Sequence, residues 1–289
     1  MIKWIVSDMD GTLLNEKNII PETTVHYLIE CQKKGIRLIL ASGRSYARLM
    51  PYVEQLQMEQ YGGALIEVNG AALYNLTDRR RIVISQLERK DKIEIYKVLE
   101  QFQPEIQFYE DMSVYYQIPE WQIPLKEKER QEKKLDKNYP LLGGAWSWLN
   151  ENIHNYPTEK RVFSVDEVPN KLNKINCLDS EDHIQQIYEY LQKNYTGIYH
   201  FTRTCKRLIE IVPYGITKGQ TLKKFMNENK VNPNEVIAFG DGENDVDLFQ
   251  QVSYAIAMDN AADYVKKFAN DVTDSNREEG VRKALEKYL

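Results

Sequence analysis

Asp8 and Asp10 stand two residues apart, directly after the apolar run Ile2-Lys3-Trp4-Ile5-Val6 and just before Gly11-Thr12. Carboxylates that close repel each other unless a cation or a proton intervenes, so the pair points to a divalent ion held by oxygen. The run before them is short and rich in β-branched and aromatic residues, which predicts a buried strand of a parallel sheet. Ligands of open α/β sheets gather beyond the carboxyl ends of such strands. A calcium loop is excluded, because Leu13, Leu14 and Asn15 occupy positions where that loop needs further acids. Taken alone, Asp-x-Asp-Gly is equally a polar turn; three later segments decide against that.

Ile36–Ala41 is a second apolar run and delivers Ser42-Gly43-Arg44 to the same sheet edge if the connection is a right-handed βαβ crossover. Val236–Phe239 delivers Gly240-Asp241-Gly242-Glu243-Asn244-Asp245, and Lys218-Gly219 opens a helix carrying Leu222 and Phe225. Ala64–Val68 ends in Asn69-Gly70, a supporting candidate. Together these residues supply what phosphoryl transfer through an aspartate requires. Asp8 is the expected nucleophile, forming an aspartyl-phosphate that water later cleaves. Asp10 is the expected acid and base, protonating the leaving alcohol and then deprotonating water.

Charge on the phosphoryl oxygens calls for donors, and Ser42 Oγ, the N–H groups of Gly43 and Met9, and the Lys218 ammonium meet that need. Asn244 is placed to hold a phosphate oxygen. Asp241 would complete a magnesium site with the Asp8 carboxylate and the Asp10 backbone carbonyl, leaving positions for water and phosphate. Asp245 is expected to support Lys218 or a metal-bound water. Arg44 is either a further phosphate contact or a salt-bridge partner at a helix start.

The elements that must position these groups follow from the same sequence. Pro21-Glu22-Thr23-Thr24 opens a helix that closes at Lys33-Lys34-Gly35, acid early and base late. From about Arg81 to Pro213 the texture changes, predicting an inserted α+β domain over 84–213 within an α/β core domain formed by 1–83 and 214–289. Ile106–Tyr109 and Ser113–Ile118 predict antiparallel strands with one face covered, Ile184, Ile187, Tyr188 and Leu191 a helical stripe, and 197–202 with 207–212 a hairpin. Lys126 to Lys137 mixes both signs of charge, with Glu129 placed to pair with Lys133, and is expected to be a solvated helix face. Tyr115, Tyr116, Trp121, Trp146 and Trp148 are expected in the core or rim of the inserted domain.

The chain has 289 residues, 42% of them hydrophobic, enough for one large domain or two ordinary ones with a substantial core. A net charge of −5 gives no electrostatic reason to bind nucleic acid or an anionic membrane, so a small soluble metabolite is the expected partner. Cys31, Cys177 and Cys205 are odd in number and widely spaced, which predicts reduced thiols and a cytoplasmic setting. No apolar stretch approaches the roughly 20 residues of a membrane span, and Asp8 and Asp10 lie where a signal peptide is apolar, so neither insertion nor export is expected. His26, His154, His183 and His200 lack the paired spacing of a metal site.

With these motifs quoted, the chain resembles the haloacid dehalogenase-like superfamily, in the Cof-type branch that carries a C2-type α/β cap between the second and third motifs. Asp8-Met9-Asp10-Gly11-Thr12-Leu13-Leu14 resembles motif one, Ala41-Ser42-Gly43-Arg44 motif two, Lys218-Gly219 motif three, and 240–245 motif four; Val68–Ala71, Ala255–Ala261 and Glu279–Val281 resemble accessory signatures. The resemblance covers nearly the whole chain. It implies a Rossmann-like core with a mostly parallel sheet and a magnesium-dependent phosphatase of small phosphorylated metabolites, often sugar phosphates; a monomer or weak homo-oligomer is expected. Ser7 and Asp247-Leu248 depart from the pattern; neither is expected to touch a catalytic group. A phosphosugar mutase using the same two aspartates is the enzymatic alternative, though its bisphosphate intermediate calls for an arginine-rich cap and Arg130, Arg161, Arg203 and Arg207 are scattered. A non-catalytic sensor of a phosphorylated metabolite is the other.

Overall fold

The first strand, β1 (Trp4–Ser7), is buried along its whole length because alternate residues enter two different cores. Ile5 packs with Leu38, Leu40 and Phe239, whereas Trp4 and Val6 pack with Ile39, Ala41 and Phe225. A strand covered on both faces belongs in a parallel sheet. The structure is a computed structural model describing residues 1–150 and 156–289. After β1 come α1 (Glu22–Lys33), β2 (Arg37–Ala41), α2 (Tyr46–Gln55), the short α3 (Met58–Tyr61), β3 (Ala64–Glu67), β4 (Ala72–Asn75) and β5 (Arg80–Val83). Glu22 and Lys33 complement the α1 dipole at its two ends. Between β3 and β4 the backbone turns through three left-handed residues, Val68 (φ +50°), Asn69 (φ +53°) and Gly70 (φ +100°), a costly conformation for a β-branched side chain.

One compact unit comprises Ser85–Gly215, the other Met1–Ile84 with Ile216–Leu289. Within the former lie α4 (Arg89–Glu100), β6 (Glu105–Tyr109), β7 (Ser113–Gln117), α5 (Ile123–Glu132), β8 (Thr158–Arg161), β9 (Lys174–Leu178), α6 (Glu181–Tyr195), β10 (Tyr199–Cys205) and β11 (Leu208–Pro213). Its sheet runs β10-β11-β9-β6-β7-β8. The expected antiparallel pairing holds except between β7 and β8, which are parallel. One sheet face, with Ile106, Phe108, Ile175, Cys177, Ile209 and Ile211, joins the apolar stripes of α4 and α6 in a single cluster. The other face is polar yet buried, with Glu105, Gln107, Lys174, Asn176 and Glu210.

The charged tract over Lys126–Lys137 is not uniformly solvated. Lys126 is fully buried, and its Nζ donates to Glu105 Oε2 at 2.5 Å and to the Trp148 carbonyl at 2.7 Å. Charge patterning along a helix cannot reveal a buried partner on a distant strand. Glu129 does pair with Lys133, at 2.6 Å. Of the aromatics, Tyr116 is buried, Tyr115 and Trp148 are half-buried, and Trp121 and Trp146 are exposed. All three cysteines are free. His183 bonds Asp179, and His154 lies outside the described residues.

The chain returns to the first unit with α7 (Lys218–Asn229), β12 (Val236–Gly240), α8 (Val246–Phe249), β13 (Tyr254–Met258), α9 (Asp263–Lys266), β14 (Asp271–Thr273) and α10 (Gly280–Tyr288). The sheet order is β14-β13-β12-β1-β2-β3-β4-β5, parallel from β14 to β3 and antiparallel beyond. Ser7 is in register with Leu40 of β2 and Phe239 of β12. The carboxyl ends of three strands from distant parts of the sequence therefore lie side by side. Among the described residues, no helix is long and apolar enough to cross a membrane.

Candidate active site

The Asp8 N–H continues the sheet ladder by donating to the Phe239 carbonyl at 3.0 Å, so the residue after β1 is aimed by backbone pairing. Its side chain is buried. Across the sheet end, Thr217 caps α7 by accepting from the Gln220 N–H, and Lys218 enters as the first helical residue with no exposed surface. The Lys218 ammonium donates to Asp8 Oδ1 at 2.6 Å and to Asp245 Oδ1 at 2.7 Å. Burial pulls the Lys218 pKa down, but Asp245 and Asp8 more than offset it and hold the side chain charged. The second Asp8 oxygen takes no hydrogen bond from the described residues.

Asp245 accepts the Asp241 and Gly242 N–H groups on its other oxygen, at 3.1 and 3.0 Å, folding the β12 exit loop back on itself. Carboxylate oxygens of Asp8, Asp241 and Asp245 lie within 4.8 Å of one another. Burial raises the Asp8 carboxyl well above the ordinary range, Lys218 opposes this, and the nearby acids add to it. Asp241 is pushed up to about 6, by burial first and by Asp245 second. A donor set of crowded oxygens that resist ionising together suits a hard divalent cation, whose charge removes that repulsion. A hard divalent cation fits the carboxylates of Asp8, Asp241 and Asp245.

The Asp10 side chain lies outside that acidic cluster. It pairs in bidentate fashion with Arg44, Nε to Oδ2 at 2.8 Å and Nη2 to Oδ1. Partial desolvation pulls the Asp10 carboxyl up, while the Arg44 hydrogen bond and charge bring it below the ordinary range. Arg44 is thus a salt-bridge partner in this structure, steadied by Tyr52, whose hydroxyl accepts from Nη1 at 3.2 Å.

Ser42 is buried at the end of β2, its Oγ accepting the Arg44 N–H and its carbonyl the Asn69 N–H at 2.9 Å. Asn69 in turn accepts from Asn244 Nδ2 at 3.0 Å, and Gly43 runs close against the Asn69 amide. The left-handed turn therefore sets Asn69 between the second and fourth motifs. The Met9 side chain is buried in the core, and its carbonyl accepts the Thr12 and Leu14 N–H groups at 3.3 and 2.9 Å.

Three further residues contribute to the site. Thr12 Oγ1 donates to Asp241 Oδ1 at 2.7 Å. Asn260 Nδ2 donates to the Gly11 carbonyl at 2.8 Å and to Asp241 Oδ2 at 3.4 Å. Asp247 Oδ2 accepts the Gly219 N–H at 3.1 Å. Thr12 and Asn260 lay inside quoted motifs, so proximity to Asp10 and the accessory signature were the available signals; nothing in the sequence links Asp247 to Gly219.

A family model described as haloacid dehalogenase-like hydrolase matches residues 5–285. The chain belongs to that family. Among relatives of this hydrolase, a putative phosphatase of Mycoplasma genitalium is 27% identical, covering 100% of this chain and 99% of that one. The 5-amino-6-(5-phospho-D-ribitylamino)uracil phosphatase of Bacillus subtilis is 25% identical, covering 100% and 96%. A crystal structure of a haloacid dehalogenase-like hydrolase from Bacteroides thetaiotaomicron superposes with a TM-score of 0.80 at 26% identity over 100% of both chains. The resemblance carried by the four motifs is thereby a family membership.

Proposed function

We propose that this hydrolase is a magnesium-dependent phosphatase of small phosphorylated metabolites, sugar phosphates or similar, acting through an aspartyl-phosphate. The observation that carries the reading is Lys218 held between Asp8 and Asp245 beside Asp241. We place it in the cytoplasm, as a monomer or weak homo-oligomer without nucleic-acid or membrane partners, with 84–213 acting as the cap that reads the leaving group.

Asp8 attacks phosphorus in line through the oxygen that Lys218 leaves open; the P–O ester bond breaks, and the departing alkoxide takes a proton from Asp10. Water then attacks phosphorus, Asp10 takes its proton, and inorganic phosphate leaves with Asp8 regenerated. The Arg44 pair favours ionised Asp10, the form that accepts the proton in the second step; donating in the first requires that pair to open. Lys218, the Ser42 hydroxyl, the N–H groups of Met9 and Gly43 and the Asn244 amide neutralise the phosphoryl oxygens. Bound magnesium supplies Lewis-acid polarisation of phosphate and relief of the repulsion among Asp8, Asp241 and Asp245.

Phosphate release from p-nitrophenyl phosphate, with and without Mg2+, tests the reading. Asp8→Asn is expected to lose turnover by roughly 1,000-fold or more with its fold retained; activity surviving in that variant would overturn the nucleophile. A panel of phosphorylated metabolites ranked by kcat/KM, including a phosphorylated ribityl compound of the kind named for the Bacillus subtilis relative, then narrows the substrate.

A further inference from the structure

Lys218 is gripped by its ammonium, but a lysine on a helix N-terminus is placed only as well as that terminus is. The first amides of a helix have no partner within it and must find one elsewhere. Here the Gly219 N–H, one residue after Lys218, donates to Asp247 Oδ2 at 3.1 Å, while the Thr217 hydroxyl accepts the Gln220 N–H at 3.2 Å. The segment is packed so tightly that a Cβ at Gly219 would stand 2.5 Å from the Asp247 carbonyl carbon. On the opposite side, Thr221 Oγ1 donates to the Gly70 carbonyl at 2.7 Å.

One short segment thus holds Lys218 twice: Asp245 takes its side chain, and Asp247, two residues on, takes the backbone beside it. We infer that Asp247 is a positioning residue, fixing the start of α7 so that the Lys218 ammonium keeps its place against Asp8. An acid at a helix N-terminus also complements the dipole, but the hydrogen bond, rather than the charge, sets the position. The inference rests on the phosphatase reading above and deepens it with a residue that the motif pattern leaves apolar.

The test compares Asp247→Ala and Asp247→Asn with the full-length wild type on p-nitrophenyl phosphate at saturating Mg2+. Asp247→Ala removes the acceptor; kcat is expected to fall about 10-fold, as for other groups that orient a reacting residue, with KM within threefold. Asp247→Asn keeps an oxygen acceptor and is expected to stay within threefold of wild type in kcat. An Asp247→Ala kcat within threefold of wild type overturns the inference, and so does an equal loss in both variants, which would assign the effect to charge. Should Asp247→Ala not fold, Asp247→Ser, whose hydroxyl is too short to reach Gly219, reads the same loss. A wild type inert on every phosphate ester fails the phosphatase reading itself; an active wild type with unaltered Asp247→Ala fails this inference alone.

Discussion

Replacing Gly11 by alanine tests whether the position of Asp241 limits the chemistry. Gly11 has φ +82°, and an added Cβ would stand 2.8 Å from Asp241 Cγ and Oδ1 and nearer still to Oδ2. Ordinary Cβ contacts begin near 3.4 Å, so the carboxylate must retreat by at least about 0.6 Å and, given the nearer oxygen, by about 1 Å. A misplacement of that order costs roughly 100-fold in rate at a site where geometry sets the barrier. The left-handed backbone adds about 1–2 kcal/mol of strain, or roughly 2–8 °C in Tm for a domain of this size. Gly35 supplies the control: its φ is +87°, with nothing within 4 Å of its added Cβ. Gly35→Ala carries the strain without the displacement. Measured by p-nitrophenyl phosphate turnover and by thermal unfolding, both variants are expected to lose similar stability, while only Gly11→Ala loses about 100-fold in kcat. A Gly11→Ala enzyme within threefold of Gly35→Ala would refute the reasoning.

Further consequences concern the second unit. Lys126→Met removes the cation from a fully buried pair and leaves the Glu105 carboxyl with only the Gln107 amide and the Gly143 N–H as partners; a loss of about 3–5 kcal/mol is expected in urea unfolding, partly recovered by adding Glu105→Gln. Glu159 has an oxygen with no hydrogen-bond partner among the described residues, and burial lifts its carboxyl to about 7. The native state then binds more protons than the unfolded chain from about pH 4.5 to 7, so this group lowers stability as pH rises through that window. Glu159→Gln is expected to stabilise the protein more at pH 7.5 than at pH 5 by urea midpoint, an effect moderated by the group's partial exposure; equal gains at both pH values would refute the assignment.

Much of the first unit is legible in the residue order. The short runs at Trp4–Ser7, Arg37–Ala41 and Val236–Gly240 are apolar apart from Ser7 and Arg37 because both sheet faces are covered, and a parallel sheet brings their polar exits together. The helix bounds at Glu22 and Lys218 follow from terminal chemistry that is local. What is not local is absent from the sequence. Lys126 reads as a surface lysine until Glu105 is seen across from it. Asp10 and Arg44 are 34 residues apart, and neither motif specifies that their side chains engage each other.

The sequence by itself therefore determined which residue types surround the proposed phosphate and in what order their strands deliver them, since periodicity and strand-end chemistry depend on near neighbours. Only the tertiary structure decided which oxygen each donor meets: Asp245 rather than the Asp10 side chain joins the acidic cluster, and Asp247 receives the Gly219 amide. Those pairings are set by packing over a few ångströms between segments brought together by the fold, and no one-dimensional pattern carries that distance.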